Sequence, residues 1–103
     1  MKSRREILEE FVAQDPSESF SRYALALELE KEKRVHEAVE HLREVISRDP
    51  GYTAAYQQLG RLLGQIGLLD NARDIYQRGI EAARASGDHR SISEMQDALE
   101  MIE

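Results

Sequence analysis

The chain has 103 residues, with 20 acidic and 14 basic side chains and a net charge of −6, a length that suits one domain burying roughly two thirds of its unfolded surface. Apolar residues at 41% beside 33% charged ones give the balance of a folded helical domain rather than a disordered chain. The absence of cysteine excludes disulfides, thiolate metal sites and cysteine nucleophiles, and the acidic balance argues against nucleic acid as a partner.

The opening segment, MKSRREILEEF, has basic residues but no apolar stretch after them, and no run approaches the length of a membrane span. The expectation is a cytoplasmic protein with no membrane partner. The basic clusters KSRR (2–5) and KEKR (31–34) read as a solvated terminus and a mixed-charge surface, the second being flanked by Glu28 and Glu30.

In chain order, Ile7, Leu8, Phe11 and Val12 form one stripe of a helix over 2–14, stopped by Asp15 and Pro16. Asp15-Pro16-Ser17-Glu18 reads as an N-cap, a proline at the first helical position and an acidic N3, which starts a second helix at once through SFSRYALALELEKE. Val35, Ala38, Val39, Leu42, Val45 and Ile46 mark a third helix that ends near Asp49-Pro50-Gly51. The fourth is TAAYQQLGRLLGQ, closed by Gly67 in a left-handed conformation, and the fifth is NARDIYQRGIEAARA, with Asp70 near its start and Ser86-Gly87 at its end. Ile92, Met95, Leu99 and Ile102 mark a sixth, opened by a Ser91/Glu94 capping box or, for an earlier start, by Asp88; Asp97, Glu100 and Glu103 form its polar face. No segment alternates with period two long enough for a strand.

Pro16 and Pro50 lie 34 residues apart. The same step carries Leu25 onto Leu59, Ala26 onto Gly60, Leu29 onto Leu63, Ala38 onto Ala72, Leu42 onto Tyr76 and Ile46 onto Ile80. In this pattern the chain resembles the tetratricopeptide repeat family. Residues 53–86 match best, with Tyr56 in the tryptophan place and then Leu59, Gly60, Leu63, Ala72 and Tyr76; Gly79 replaces an alanine. Residues 19–52 keep Leu25, Ala26, Ala38, Leu42 and Pro50 but have Arg22 where the aromatic belongs and Val45 for alanine, and 2–16 look like a degenerate half repeat.

The resemblance implies a single all-α domain over 1–103. It would be a right-handed superhelix of antiparallel helix hairpins, about six helices with 88–103 as the C-terminal cap. Gly60 and Ala26 are expected where the two helices of a unit cross, facing the small residues Ala72 and Ala38. Lys33 stands where the second unit has Gly67, so a left-handed turn there would cost about 1 kcal/mol.

Catalytic chemistry finds little support. His36 and His41 are five residues apart and point to different sides of a helix, His89 stands alone, and no metal-binding, nucleophile or phosphate-loop spacing occurs. The carboxylates alternate with basic residues as on solvated helix faces. The expectation is no enzyme, no metal and no cofactor.

What the family resemblance implies instead is binding of a protein or peptide partner in a concave groove lined by the first helix of each unit. By register the lining residues are Phe20, Tyr23, Leu27, Glu30 and Lys31, then Ala54, Gln57, Arg61, Gly64 and Gln65. For Phe20, Tyr23 and Leu27 two readings stand, a groove wall or packing on Leu8 and Phe11. Members that clamp a chaperone's carboxylate tail use a lysine and asparagines where this chain has Tyr23, Leu27 and Gln58, so that subtype is not expected. The alternative role is structural self-association as a homodimer, through a terminal helix or the groove.

Overall fold

Backbone capping and turn chemistry set the helix boundaries. The computed structural model describes residues 1–102 and forms α1 Arg4–Gln14, α2 Ser19–Lys31, α3 Val35–Arg48, α4 Thr53–Gln65, α5 Leu69–Ser86 and α6 His89–Ile102, with no strand among the described residues. Glu103, assigned from sequence to the polar face of α6, lies outside the described residues. The helices group into two compact units, α1 to α3 within Met1–Asp49 and α4 to α6 from Pro50 onward.

In the first unit, α1 starts two residues later than its stripe predicts because Ser3 caps it. The Ser3 hydroxyl accepts from the Glu6 amide at 3.1 Å while the Glu6 carboxylate accepts from the Ser3 amide at 3.0 Å, a reciprocal capping box. Leu8 anchors α1, whereas Ile7 and Phe11 remain 41% and 51% exposed. Ion pairs Arg5–Glu32 (2.9 Å) and Arg4–Glu28 (3.3 Å) tie the helix to α2.

The expected start of α2 needs correction. Residues 16 and 17 form a turn, and the cap is Glu18, whose carboxylate accepts from the amides of Phe20 and Ser21. Proline restricts its predecessor to extended conformations, and Asp15 at φ −142° closes α1 instead of opening α2. The Asp15 side chain accepts from Ser17 Oγ at 2.8 Å, spending its oxygen inside the turn.

The two hairpins, α2–α3 and α4–α5, turn alike. Lys33 at φ 65° and Gly67 at φ 83° are both left-handed, and each is followed by an amide that reaches back five residues, Arg34 to the Leu29 carbonyl and Leu68 to the Leu63 carbonyl, both 2.9 Å. This is the Schellman arrangement, which satisfies the last carbonyls of a helix. Gly87, at φ 73°, ends α5 the same way, with Asp88 N–H on the Ala83 carbonyl.

Inside the hairpins the residues on the 34-residue step are buried: Leu25, Ala26, Leu29, Ala38, Leu42 and Ile46 in the first, Leu59, Gly60, Leu63, Ala72, Tyr76 and Ile80 in the second. The close neighbour of Gly60 is the Tyr76 ring: a Cβ there would stand 2.6–2.9 Å from three ring carbons. Small size on α4 thus makes room for an aromatic ring on α5, the helix that also carries the buried Ala72.

Arg22, out of pattern by sequence, performs a familiar task. Its Nη2 donates to the Pro16 carbonyl at 3.1 Å, and Tyr56, on the same step in the second unit, donates its hydroxyl to the Pro50 carbonyl at 2.7 Å. A cation and a phenol thus fasten equivalent proline carbonyls. Arg22 Nη1 also meets His41 Nδ1 at 3.4 Å, and its Nε is buried with no hydrogen-bond partner among the described residues.

In the second unit α6 packs on both α5 and α4. It opens with Asp88, whose carboxylate accepts from the amide and hydroxyl of Ser91 at 3.1 and 2.6 Å, the earlier of the two predicted caps. Those bonds hold the Asp88 carboxyl below the usual range. Met95 is the buried anchor, and it reaches Gly79 so closely that a Cβ there would lie 2.6 Å from the Met95 sulfur and from Tyr56 Cβ. Gly79 therefore lets α4 and α6 both approach α5.

Candidate functional site: the cleft between α4 and α6

The second unit contains an open cleft of about 510 Å³ lined by Gln57, Gln58, Gly60, Arg61 and Gly64 of α4, Tyr76 of α5, and Glu94, Met95, Ala98, Met101 and Ile102 of α6. The α4 residues recur at helical spacing, so one polar stripe of amides and a guanidinium faces the cleft while Leu59, Leu62 and Leu63 point into the core. Across it, α6 presents apolar side chains. Gln57 donates to Glu94 at 2.9 Å and bridges the two walls at one end.

The electrostatics are defined by few groups. Arg61 is oriented by Gln58, whose carbonyl oxygen accepts from Nε at 3.2 Å and from Nη2 at 2.6 Å. The Glu94 carboxyl is held below its ordinary pKa by hydrogen bonds from Gln57 and then Arg90. Burial pushes the Tyr76 phenol up, with the Arg61 charge acting in the opposite direction. Such a site can pair amides with peptide groups and seat an apolar side chain.

Of the residues predicted by register, Gln57, Arg61 and Gly64 line this cleft together. Gln65 is exposed at the end of α4 and Ala54 is half-buried near its start, both outside the lining. In the first unit Phe20 is 65% exposed, Tyr23, Leu27 and Glu30 are half-buried, and Lys31 is exposed, 4.0 Å from Glu28. Sequence reasoning missed the far wall, Glu94 and Met95 to Ile102, and the Tyr76 floor. The α6 stripe was the available signal, but the 34-residue register does not extend over it.

A second cleft of about 560 Å³ lies at Pro50, Gly51, Tyr56, Arg78, Glu81, Ala82 and Ala85, and contains none of the predicted groove residues. His36 and His89 are exposed and His41 is half-buried beside Arg22. Among the described residues no group of three or more His, Cys, Asp or Glu could hold a metal ion, and no helix is long and apolar enough to cross a membrane.

Comparison with known proteins agrees with this architecture. The chain is 28% identical over 88 residues to a TPR repeat-containing protein of Pseudomonas aeruginosa, covering 85% of this chain and 84% of that one. It is 39% identical to a tetratricopeptide repeat domain protein from Salinibacter ruber solved by NMR, with a TM-score of 0.82 and coverage of 86% and 90%. The fold also matches the TPR2B domain of yeast Sti1, solved as a complex with pHsp70, at a TM-score of 0.88 and 15% identity over 95% of this chain and 78% of that one. The family model for the tetratricopeptide repeat covers residues 29–92, well over half of the chain. With the helix hairpins, the 34-residue step and these matches together, the chain belongs to the tetratricopeptide repeat family.

Proposed function

We propose that this protein is an interaction module, an adaptor or scaffold, that binds a peptide or helix of a partner protein in the cytoplasm and carries out no catalysis. The observation that carries the reading is the α4/α6 cleft, where Gln57 and Arg61 stand opposite Ala98, Met101 and Ile102. Polar groups able to meet a peptide backbone face an apolar wall there, a combination suited to peptide recognition. The complex of the Sti1 domain with pHsp70 supports the class of activity. Contact residues are proposed by register as Phe20, Tyr23, Leu27, Glu30 and Lys31 on α2 and Gln57, Arg61 and Gln65 on α4. In this reading 19–52 and 53–86 are the repeats, 2–16 a degenerate half repeat and 88–103 the cap. Affinity capture with wild type and a Tyr23→Ala, Arg61→Ala double variant is the test: partners lost by the variant at unchanged folding support the groove, and identical captures overturn it.

A second reading, self-association, is favoured by the exposed Ile7 and Phe11 on α1 and by Met101 on α6, 88% exposed. Light scattering across a dilution series distinguishes it, since a dimer persisting to nanomolar concentration supports assembly and a monomer throughout removes it.

A further inference from the structure

We infer that α1 and the start of α2 form the contact face of a two-fold dimer, in which α1 of one copy lies antiparallel on α1 of a second copy and Arg4 of each meets Asp15 of the other. The inference rests on the self-association reading above and names its face.

Of the large apolar side chains exposed among the described residues, Ile7 and Phe11 lie on α1 and Phe20 on α2. The less exposed positions of α1 are Arg5, Leu8 and Val12, the stripe turned toward α2, and Ile7 and Phe11 stand on the edge beside it. The Arg4–Glu28 ion pair bridges the two helices on that edge. Ile7 and Phe11 follow Arg4 at helical spacing, and from Glu28 the same spacing leads back through half-buried Ala24 to Phe20. All three exposed side chains therefore share one side of the α1–α2 hairpin, where a covering surface would remove them from water. On α6, by contrast, Met101 is the only exposed large apolar side chain among the described residues.

The charges decide what covers the α1 face. Arg4, Ile7, Phe11 and Asp15 follow one another at intervals of three, four and four residues, one stripe with a cation at its start, a carboxylate at its end and apolar side chains between. Arg4 meets Glu28 through Nε, yet its side chain stays 70% exposed. Asp15 is exposed as well, with Oδ1 accepting from Ser17. Turned end for end about an axis near residues 9 and 10, the stripe is its own complement: Ile7 falls on Phe11 and Arg4 on Asp15, each twice over. A parallel arrangement would set like charges opposite one another. The occupant that matches this pattern is a second copy of the chain, and with three exposed apolar side chains on each copy the contact is small and reversible.

The experiment is sedimentation equilibrium on the full chain up to about 500 µM, high enough to populate a small interface. The samples are wild type, Phe11→Glu, Ile7→Glu, Arg4→Glu, Asp15→Lys and an equal mixture of the last two, with thermal melts to verify that each is folded. Wild type should dimerise, and Phe11→Glu and Ile7→Glu should remain monomeric. Arg4→Glu and Asp15→Lys each oppose like charges and should weaken the dimer at least about fivefold. Their mixture should recover it, since one variant then carries carboxylates at both positions and the other cations. A wild-type dimer untouched by Phe11→Glu and Ile7→Glu would overturn this inference and leave self-association through another face. A mixture no stronger than its components would overturn the antiparallel pairing, and the inference with it. Wild type that stays monomeric at every concentration would overturn both this inference and the self-association reading, and would assign the face to a helix of another protein.

Discussion

The hairpins α2–α3 and α4–α5 reach the same turn geometry with different residues. In the second unit Gly60 on α4 accepts the Tyr76 ring of α5 where a Cβ would collide at 2.6 Å; in the first, the same positions hold Ala26 and Leu42, at 1% and 0% exposure. A methyl is added on one helix and a ring removed from the other. Arg22 and Tyr56 likewise fasten the Pro16 and Pro50 carbonyls by unlike chemistry, and Lys33 and Gly67 make the same left-handed turn. The repeat thus preserves volume, hydrogen bonds and turn handedness rather than residue identity.

The comparison breaks most visibly in the core. Leu25→Ala and Leu59→Ala remove equivalent, fully buried side chains, and each is expected to cost on the order of 2–5 kcal/mol in urea unfolding. Costs below about 1 kcal/mol at either position would show that its hairpin is not a close-packed unit. Next, Gly60→Ala should cost about 1–3 kcal/mol from overpacking. Combining it with Tyr76→Leu copies the first unit's pair into the second, so the double variant should be more stable than the two single effects added together. Simple additivity would mean that Tyr76 does not set the spacing.

The turns sharpen the contrast at smaller scale. Lys33→Gly relieves a left-handed lysine and should raise stability by up to about 1 kcal/mol, while Gly67→Lys should lower it by a similar amount. Thermal melts of both variants check the pair of signs.

The smallest expected effect is a pH dependence confined to the first unit's departures from pattern. Burial, and next the Arg22 charge beside it, hold His41 below its usual 6.5. The unfolded chain therefore binds a proton that the native chain resists: this contribution to stability is complete above about pH 6.5 and declines as pH falls toward the native value. His41→Gln should flatten denaturant midpoints between about pH 7 and 5. The cap carboxylate Glu18, lowered by hydrogen bonds from the Ser21 side chain and amide, adds a loss further into acid, since a depressed carboxylate stabilises only while ionised. An unchanged slope in His41→Gln would remove the histidine from the explanation.

Helix periodicity, the prolines and the turn glycines made the six helices and the 34-residue step legible in the sequence, because each signal acts locally. The start of α2 is ambiguous in the sequence because Asp-Pro-Ser-Glu fits both a cap and a turn; what separates them is that Asp15 bonds Ser17 and Glu18 reaches Phe20 and Ser21. The pairing of Gly60 with Tyr76 depends on where a ring lies across two helices, which spacing alone does not encode. Half of the cleft was likewise illegible, since α6 departs from the repeat register and its wall exists only once Met95 has seated the helix against α4 and α5.

Gly60 and Gly64 stand one helical turn apart on α4, one pressed against an aromatic ring and the other opening onto empty cleft. Thermal melts of Gly60→Ala and Gly64→Ala recorded side by side test this division most directly. The account predicts opposite signs, destabilisation at Gly60 and a gain of about 0.5–1 kcal/mol at Gly64 from helix propensity. Destabilisation at both would contradict it, because Gly64 would then serve the fold and not the vacancy.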